Sequence, residues 1–114
     1  MEFIKKLAFA RCSLEEPWSL HGLWLDYTNE SYPAFCSDVS CEFDNDDILP
    51  LYPKCWDAKS VRCHEWQKHG SCFYDLLNYT QQEYLNETEN TFSTWVDSIP
   101  LDSTSYVLDL GKTI

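Results

Sequence analysis

The even set of six cysteines restricts the fold of this chain more than any other feature. All six lie in the first two thirds of the sequence, at residues 12, 36, 41, 55, 63 and 72. An even set in a small acidic chain indicates up to three disulfides, which can be paired in fifteen ways. Three glycosylation sequons favour the same oxidising environment; they begin at Asn29, Asn78 and Asn86.

Length and charge narrow the class of protein. The 114 residues suit one small domain, residues 1–114, and we expect a monomer. The formal charge of −11 argues against a broad basic surface that grips nucleic acid. It leaves room for a nucleic-acid enzyme with a small site that works in acid. No stretch approaches the roughly 20 apolar residues that span a bilayer, so no membrane association is expected.

The first residues do not form a convincing signal peptide. Residues 1–6 offer a charged start, but the apolar stretch 7–10 is too short and Arg11 ends it. We therefore expect that either the true N-terminus is missing or this start is damaged or artificial.

The segment 17–27 is rich in strand-forming residues, with Gly22 as an interruption. In a regular strand His21 and Trp24 would point to opposite faces. A bend or bulge at Gly22 would bring them together.

The rest of the chain predicts loops, helices and a final strand. Residues 28–47 look like a loop whose acidic cluster is solvated, because the spacing and the glycine of a calcium-binding EF-hand are absent. A strand is expected to start near Ser105. Three helices are expected, over residues 60–70 with Gly70 as a stop, over 73–84 and over 87–96.

All three histidines lie in two short segments, His21 in the first and the other two in the second. At 100° per residue, His64, Glu65, Lys68 and His69 fall within 140° of one another on a helix. Four ionisable groups on one face are costly to bury without a ligand. This face therefore looks suited to an anion.

The chemistry that fits these groups is transfer at a phosphodiester. It needs a base for the attacking hydroxyl, an acid for the leaving oxygen and cations for the charged oxygens. Histidine suits both proton roles, because its ordinary pKa of roughly 6.5 allows one ring to be neutral while another is charged. RNA carries its own nucleophile, the 2′-hydroxyl, so no cofactor or metal is required. The ligand spacings of zinc motifs and the Gly-x-Ser-x-Gly motif of serine hydrolases do not occur here.

Two segments resemble the active-site segments of the ribonuclease T2 family, which are Ser-Leu-His-Gly-Leu-Trp at 19–24 and His-Glu-Trp-Gln-Lys-His-Gly-Ser-Cys at 64–72. The segment 31–36 also resembles plant members. This family comprises secreted, vacuolar and lysosomal acid endoribonucleases. The resemblance, strongest over 12–98, implies an α+β fold in which an antiparallel sheet packs against helices, and a location outside the cell or in a vacuolar or endolysosomal lumen.

The resemblance also implies roles for five side chains. The residue matching His69 is the general base on the 2′-hydroxyl, and the one matching His21 protonates the leaving 5′-oxygen. Those matching Glu65 and Lys68 stabilise the phosphorane, and the one matching His64 helps to hold the phosphate. Single-stranded RNA would be cleaved to a 2′,3′-cyclic phosphate and then to a 3′-phosphate, without metal.

A base pocket and one disulfide follow from the same resemblance. Trp24, Asp26 and Tyr32 match a base-binding pocket of some members, although core packing of Trp24 and a loop-anchoring role of Tyr32 are equally open. A bridge between Cys36 and Cys72 is general in the family. Pairing of Cys12 with Cys55 and of Cys41 with Cys63 is a guess.

The chain is about half as long as the core domain of the family, so it resembles a truncated member or a fragment with an incomplete sheet. The first sheet strand, with its Gln-Trp-Pro sequence, and the last strands are expected to be missing. Two function classes follow. The first is an acid endoribonuclease, and the alternative is a catalytically inactive ribonuclease-like glycoprotein that acts as a binding module.

Overall fold

The computed structural model describes residues 2–113 and confirms the expected α+β class. Three antiparallel strands form one sheet in the order β2-β1-β3, with β1 at Phe3–Ala10, β2 at Ser19–Tyr27 and β3 at Ser105–Thr113. Residues 28–47 contain neither helix nor strand, as predicted. In the part of the chain that the structure describes, no helix is long and apolar enough to cross a membrane.

The central strand is β1, and the expectation that the first sheet strand is missing was wrong. The chain supplies this strand without the Gln-Trp-Pro sequence, and β1 pairs with β2 on one side and β3 on the other. Phe3, Leu7 and Phe9 are buried on one face of it. Lys6 points to the opposite face, because side chains alternate along a strand.

The helices differ in their bounds from the prediction. A short 3-10 turn at Leu49–Leu51 precedes one continuous helical segment, and a separate helix follows that segment. The elements are α1 at Ala58–Glu65, a π-helical turn at Trp66–Gly70, α2 at Ser71–Leu77, α3 at Gln81–Trp95 and a 3-10 turn at Val96–Ser98.

Gly70 was predicted to stop the helix, but the helix continues through it. Its φ of −64° is helical, and a Cβ there would overlap the ring of Trp66, so the position needs glycine for close packing. The segment ends instead at Asn78, whose φ of +62° is left-handed. Thr80 and Glu83 then form a capping box that begins α3, so the bounds of the helices predicted over 73–84 and 87–96 were wrong.

One face of the sheet packs against α3 and the π turn to form the core. Leu20, Leu23 and Leu25 of β2 are fully buried there. The Tyr84 hydroxyl of α3 donates to the carbonyl oxygen of Leu23 at 2.7 Å, and the rings of Phe9 and Phe92 lie 5.6 Å apart. The opposite face of the sheet is left for polar side chains.

Three disulfides connect the loops to this frame, with the pairs Cys12–Cys55, Cys36–Cys72 and Cys41–Cys63. The bridge at Cys36 and Cys72 joins the loop after β2 to the first turn of α2. Two hydrogen bonds support it: the Phe35 amide donates to the carbonyl of Lys68 at 2.9 Å, and the Cys36 amide donates to the Ser71 hydroxyl at 3.0 Å. The loop is therefore fixed beside the π turn.

Candidate active site

A bulge in β2 brings the first histidine to the polar face of the sheet. Ala8 pairs with Gly22 and Phe9 pairs with Leu20, so His21 is an extra residue without a partner in β1. Such an extra residue re-aims the side chains that follow. The rings of His21 and Trp24 are consequently 5.2 Å apart, edge to face, instead of on opposite faces.

Gly22, directly after the bulge, makes room for the carboxyl group of Glu65. A Cβ at Gly22 would overlap Oε1 of Glu65. Since any larger residue would displace this carboxyl group, the glycine allows β2 and the end of α1 to approach each other closely.

The π turn carries the second pair of site residues. The amide of Ser71 reaches back to the carbonyl of Trp66, five residues earlier, and so accommodates one additional residue in the helix. His69 within this turn and Glu65 just before it are buried, with 5% and 3% exposure. His64 is exposed and Lys68 is half-buried, so the cluster has a buried interior and an accessible rim.

Trp24 contacts the other three side chains of the cluster, which are His21, Glu65 and His69. Its indole Nε1 donates to Oε1 of Glu65 at 2.7 Å, and its ring stacks on the ring of His69 with centroids 5.1 Å apart and planes inclined by 22°. Oε2 of the same carboxyl group lies 3.9 Å from Nε2 of His21. The structure thus brings His21, Trp24, Glu65 and His69 together in one cluster.

Burial sets the protonation states in this cluster. It raises the pKa of Glu65 to about 7, although the hydrogen bond from Trp24 and the charge of Lys68 act in the opposite direction. It lowers the pKa of His69 to about 3, and the charges of Lys68, His64 and His21 add to the effect. Burial also lowers the pKa of His21, with further contributions from His64 and Lys68. At pH 5, therefore, Glu65 is a neutral acid and His69 a neutral imidazole.

The proposed base-binding residues border a cavity next to this cluster. The cavity has a volume of about 350 Å³ and is lined by Trp24, Asp26 and Tyr32, together with Lys68 and His69. Tyr32 is 53% exposed and its ring lies 5.5 Å from Nζ of Lys68. Trp24 is in contact with the ionisable groups rather than with the buried core.

Sequence reasoning missed two side chains at the site. Trp56 places its ring edge-on to His21, with centroids 5.0 Å apart. Nζ of Lys6 lies 2.7 Å from Oδ2 of Asp26, inside the cavity. Lys6 could have been found from the alternation of β1, had that segment been recognised as a strand. No local pattern connects Trp56 with His21, because they are 35 positions apart.

No cluster of three or more histidine, cysteine, aspartate or glutamate side chains that could hold a metal ion is found within residues 2–113. The three sequon asparagines, Asn29, Asn78 and Asn86, are exposed.

The protein thus combines an α+β fold with one cluster of histidine, glutamate and tryptophan side chains. A model of the Ribonuclease T2 family matches residues 5–103 of the sequence, and the chain therefore belongs to the ribonuclease T2 family. The similarity to curated proteins agrees. Ribonuclease T2 of Aspergillus oryzae is 30% identical over 86% of this chain and 44% of its own length. Ribonuclease 1 of Arabidopsis thaliana is 32% identical over 64% of this chain and 35% of its own.

A solved structure supports the fold. Trichomaglin, described as a novel S-like ribonuclease, superposes with a TM-score of 0.53 at 21% sequence identity, over 82% of this chain and 60% of the trichomaglin chain.

A ribonuclease T2 protein of Caenorhabditis elegans is 33% identical over 69% of this chain and 29% of its own length. The chain thus spans between about a third and a half of the length of these curated relatives.

Proposed function

We propose that this single-domain chain is an endoribonuclease that cleaves single-stranded RNA by metal-independent transphosphorylation. The observation that carries the proposal is the arrangement of the His21 and His69 rings, which lie 5.2 Å and 5.1 Å from the ring of Trp24, whose indole N–H bonds to Glu65. The 2′-oxygen attacks the phosphorus, the bond to the 5′-oxygen breaks, and a 2′,3′-cyclic phosphate forms, which water then opens to a 3′-phosphate. The family membership and the ribonuclease names of the relatives support this assignment.

His69 is the general base in this proposal. A base must be unprotonated at the working pH, and a pKa of about 3 keeps this imidazole neutral throughout the acidic range. Its Nδ1 is buried without a hydrogen-bond partner, which leaves Nε2 as the atom that takes the proton of the 2′-hydroxyl. Stacking on Trp24 holds the ring in one orientation.

His21 is the general acid that protonates the leaving 5′-oxygen. It is about one-third exposed, as a group that meets a departing nucleoside must be. Its pKa is lowered, mainly by burial, so it is protonated only at acidic pH. Because the acid must be charged while the base is neutral, we expect an acidic pH optimum.

Glu65, Lys68 and His64 stabilise the charged phosphorus centre. With a pKa of about 7, Glu65 is protonated in acid and can donate its hydrogen to a non-bridging oxygen. Lys68 supplies a positive charge, and the exposed His64 helps to hold the phosphate at the rim. Neutral Glu65 adds no negative charge to repel the substrate, which matters in a chain with a formal charge of −11.

The nucleotide base binds beside the cluster. Trp24 and Tyr32 offer aromatic faces, and Asp26 offers a hydrogen-bond acceptor in the cavity of about 350 Å³. A base can enter such a cavity only when it is unpaired and unstacked, which restricts the substrate to single-stranded RNA.

We further propose that the protein is secreted or lies in a vacuolar or endolysosomal lumen, since three disulfides and three exposed sequons suit an oxidising compartment. We also propose that it is a monomer.

The test is cleavage of single-stranded RNA at pH 5 with EDTA present, with the oxidised protein compared with its His69→Ala variant. We expect products with 2′,3′-cyclic phosphate ends from the parent chain and at least roughly a hundredfold slower cleavage by the variant. The absence of cleavage by a folded, disulfide-bonded sample would reject the enzyme and favour the inactive binding module. Cleavage that EDTA abolishes would reject the metal-independent mechanism.

A further inference from the structure

The cavity beside the catalytic cluster is also lined by Lys6, to which the roles proposed above assign no function and which forms an ion pair with Asp26. Lys6 lies on the central strand β1 and Asp26 near the end of β2. Nζ of Lys6 is 2.7 Å from Oδ2 of Asp26, and their side chains are 30% and 14% exposed. Both line the cavity, with Val107 of β3 as an apolar neighbour.

The register of the sheet fixes this pair. Lys6 is directly opposite Trp24 in the antiparallel ladder, and Asp26 is opposite Ile4, so Lys6 and Asp26 are diagonal neighbours on one face. On the other side, Lys6 is paired with Asp109 of β3. Carboxylates on both neighbouring strands therefore favour a charged ammonium group in the lining of the cavity, and the pKa of Lys6 is raised accordingly, mainly by Asp26.

The chemistry of the pair restricts which base edge it accepts. An ammonium group has three N–H donors and no acceptor, and Asp26 occupies one of the three. The two remaining N–H groups of Lys6 present positive charge and hydrogen-bond donors to the edge of a nucleotide base. A carbonyl oxygen is attracted there, whereas an exocyclic amino group opposes donor to donor. Oδ1 of Asp26, beside the ammonium, accepts a ring N–H.

We propose that the Lys6–Asp26 pair makes this cavity select the keto bases guanine and uracil over the amino bases adenine and cytosine. In the two keto bases a carbonyl oxygen that projects from the ring stands next to a ring N–H. Lys6 lies one strand closer to the centre of the sheet than Trp24 and Asp26, so it is reached by the projecting oxygen, while Asp26 receives the N–H. The inference rests on the proposed function, since it assumes that the cavity holds a base.

The experiment measures the binding of four nucleoside 2′-monophosphates by calorimetry at pH 5, so that each keto base is compared with the amino base of equal size. We expect the guanine compound to bind roughly tenfold or more tightly than the adenine compound, and the uracil compound likewise relative to cytosine. In Lys6→Met the preference should vanish or reverse, because the released carboxylate of Asp26 accepts hydrogens from amino groups.

Lys5→Met is the matched control. Lys5 is the neighbouring residue on the same strand, and its Nζ forms an ion pair with Glu87 at 2.8 Å on the opposite face, with similar exposure. The Lys5→Met variant removes the same charge and a similar ion pair, but it should keep the preference for keto bases. If Lys6→Met does not fold, Lys6→Arg replaces it, and this variant should keep the preference because it retains a cationic donor.

Three results would overturn the inference: adenine and cytosine bound as tightly as their keto partners, an unchanged preference in Lys6→Met, or no nucleotide binding at all. Cleavage assays with the four bases separate this inference from the proposed function. A protein that binds keto bases selectively but cleaves nothing would reject the enzyme alone. A protein that cleaves without preference would reject the role of Lys6 alone.

Discussion

The indole N–H of Trp24 donates to Oε1 of Glu65 at 2.7 Å across the gap between β2 and the end of α1. The same ring stacks on His69 and packs edge to face with His21. One side chain therefore orients both a carboxyl group and an imidazole of the cluster. Its donor and its aromatic face can be separated experimentally.

Trp24→Phe keeps an aromatic face for His69 but removes the donor to Glu65. The hydrogen bond favours the ionised carboxylate and holds the pKa of Glu65 at about 7. Its loss should therefore raise this pKa. NMR titration of the Glu65 carboxyl carbon measures this directly, and we expect kcat/KM for RNA to fall roughly tenfold. Trp18→Phe is the control, because it removes an indole donor that bonds to the carbonyl of Pro100. A Glu65 pKa that is unchanged or lower in Trp24→Phe would refute the assignment.

Glu65→Gln should stabilise the fold at neutral and alkaline pH. The pKa of Glu65 is raised in the folded state, so the folded protein binds more protons than the unfolded chain between about pH 4.5 and 7. This group therefore makes the free energy of unfolding fall as pH rises through that interval. At pH 8 the variant should gain up to about 3 kcal/mol over the parent chain, at roughly 1.4 kcal/mol per pKa unit, and almost nothing at pH 4. Urea unfolding at both pH values measures the difference.

His69→Gln provides a check of opposite sign. The folded-state pKa of His69 is lowered to about 3, so the folded protein binds fewer protons than the unfolded chain between about pH 3 and 6.5. This variant should gain stability over the parent chain at pH 4 and little at pH 8. The same pH dependence in both variants would contradict the two opposed pKa shifts.

The site was easier to predict from the sequence than the fold around it. His64, Glu65, Lys68 and His69 are near neighbours in the sequence, so any helical geometry brings them to one side. The proximity of His21 and Trp24 was predicted only on the condition of a bulge, and the structure has this bulge at His21. Short-range spacing carries such information because it depends on local geometry alone.

The central strand could not be recognised because its stability comes from distant residues. Lys5 and Lys6 stand in the middle of β1, where charged residues are unfavourable without partners. Their partners, Glu87 and Asp26, are 82 and 20 positions away, on opposite faces of the sheet. Gly70 was misinterpreted for a related reason: a helix stop and a close contact with Trp66 both call for glycine, and only the tertiary packing distinguishes them.

Gly22→Ala tests whether the close approach of β2 to Glu65 matters. The added Cβ overlaps Oε1 of Glu65, so the carboxyl group must shift. We expect a loss of about 2 kcal/mol in the free energy of unfolding and a roughly hundredfold lower kcat/KM for RNA. Gly111→Ala is the control, since Gly111 has a φ of +88° and open space at its Cβ position. This control should lose about 1 kcal/mol with unchanged activity, because its cost is confined to the backbone. Equal activity in both variants would show that the Glu65 position is not critical.

Lys68→Met should raise the pKa of both His69 and His21. The positive charge of Lys68 disfavours protonation of His69 and His21, and it contributes to the lowering of both pKa values. NMR titration of the ring protons should therefore move both transitions to higher pH, without requiring activity of the variant. Lys59→Met removes an exposed lysine from α1 and should leave both transitions in place. Histidine transitions that do not respond to Lys68→Met would show that Lys68 does not help to keep the base neutral and acts only on the phosphate.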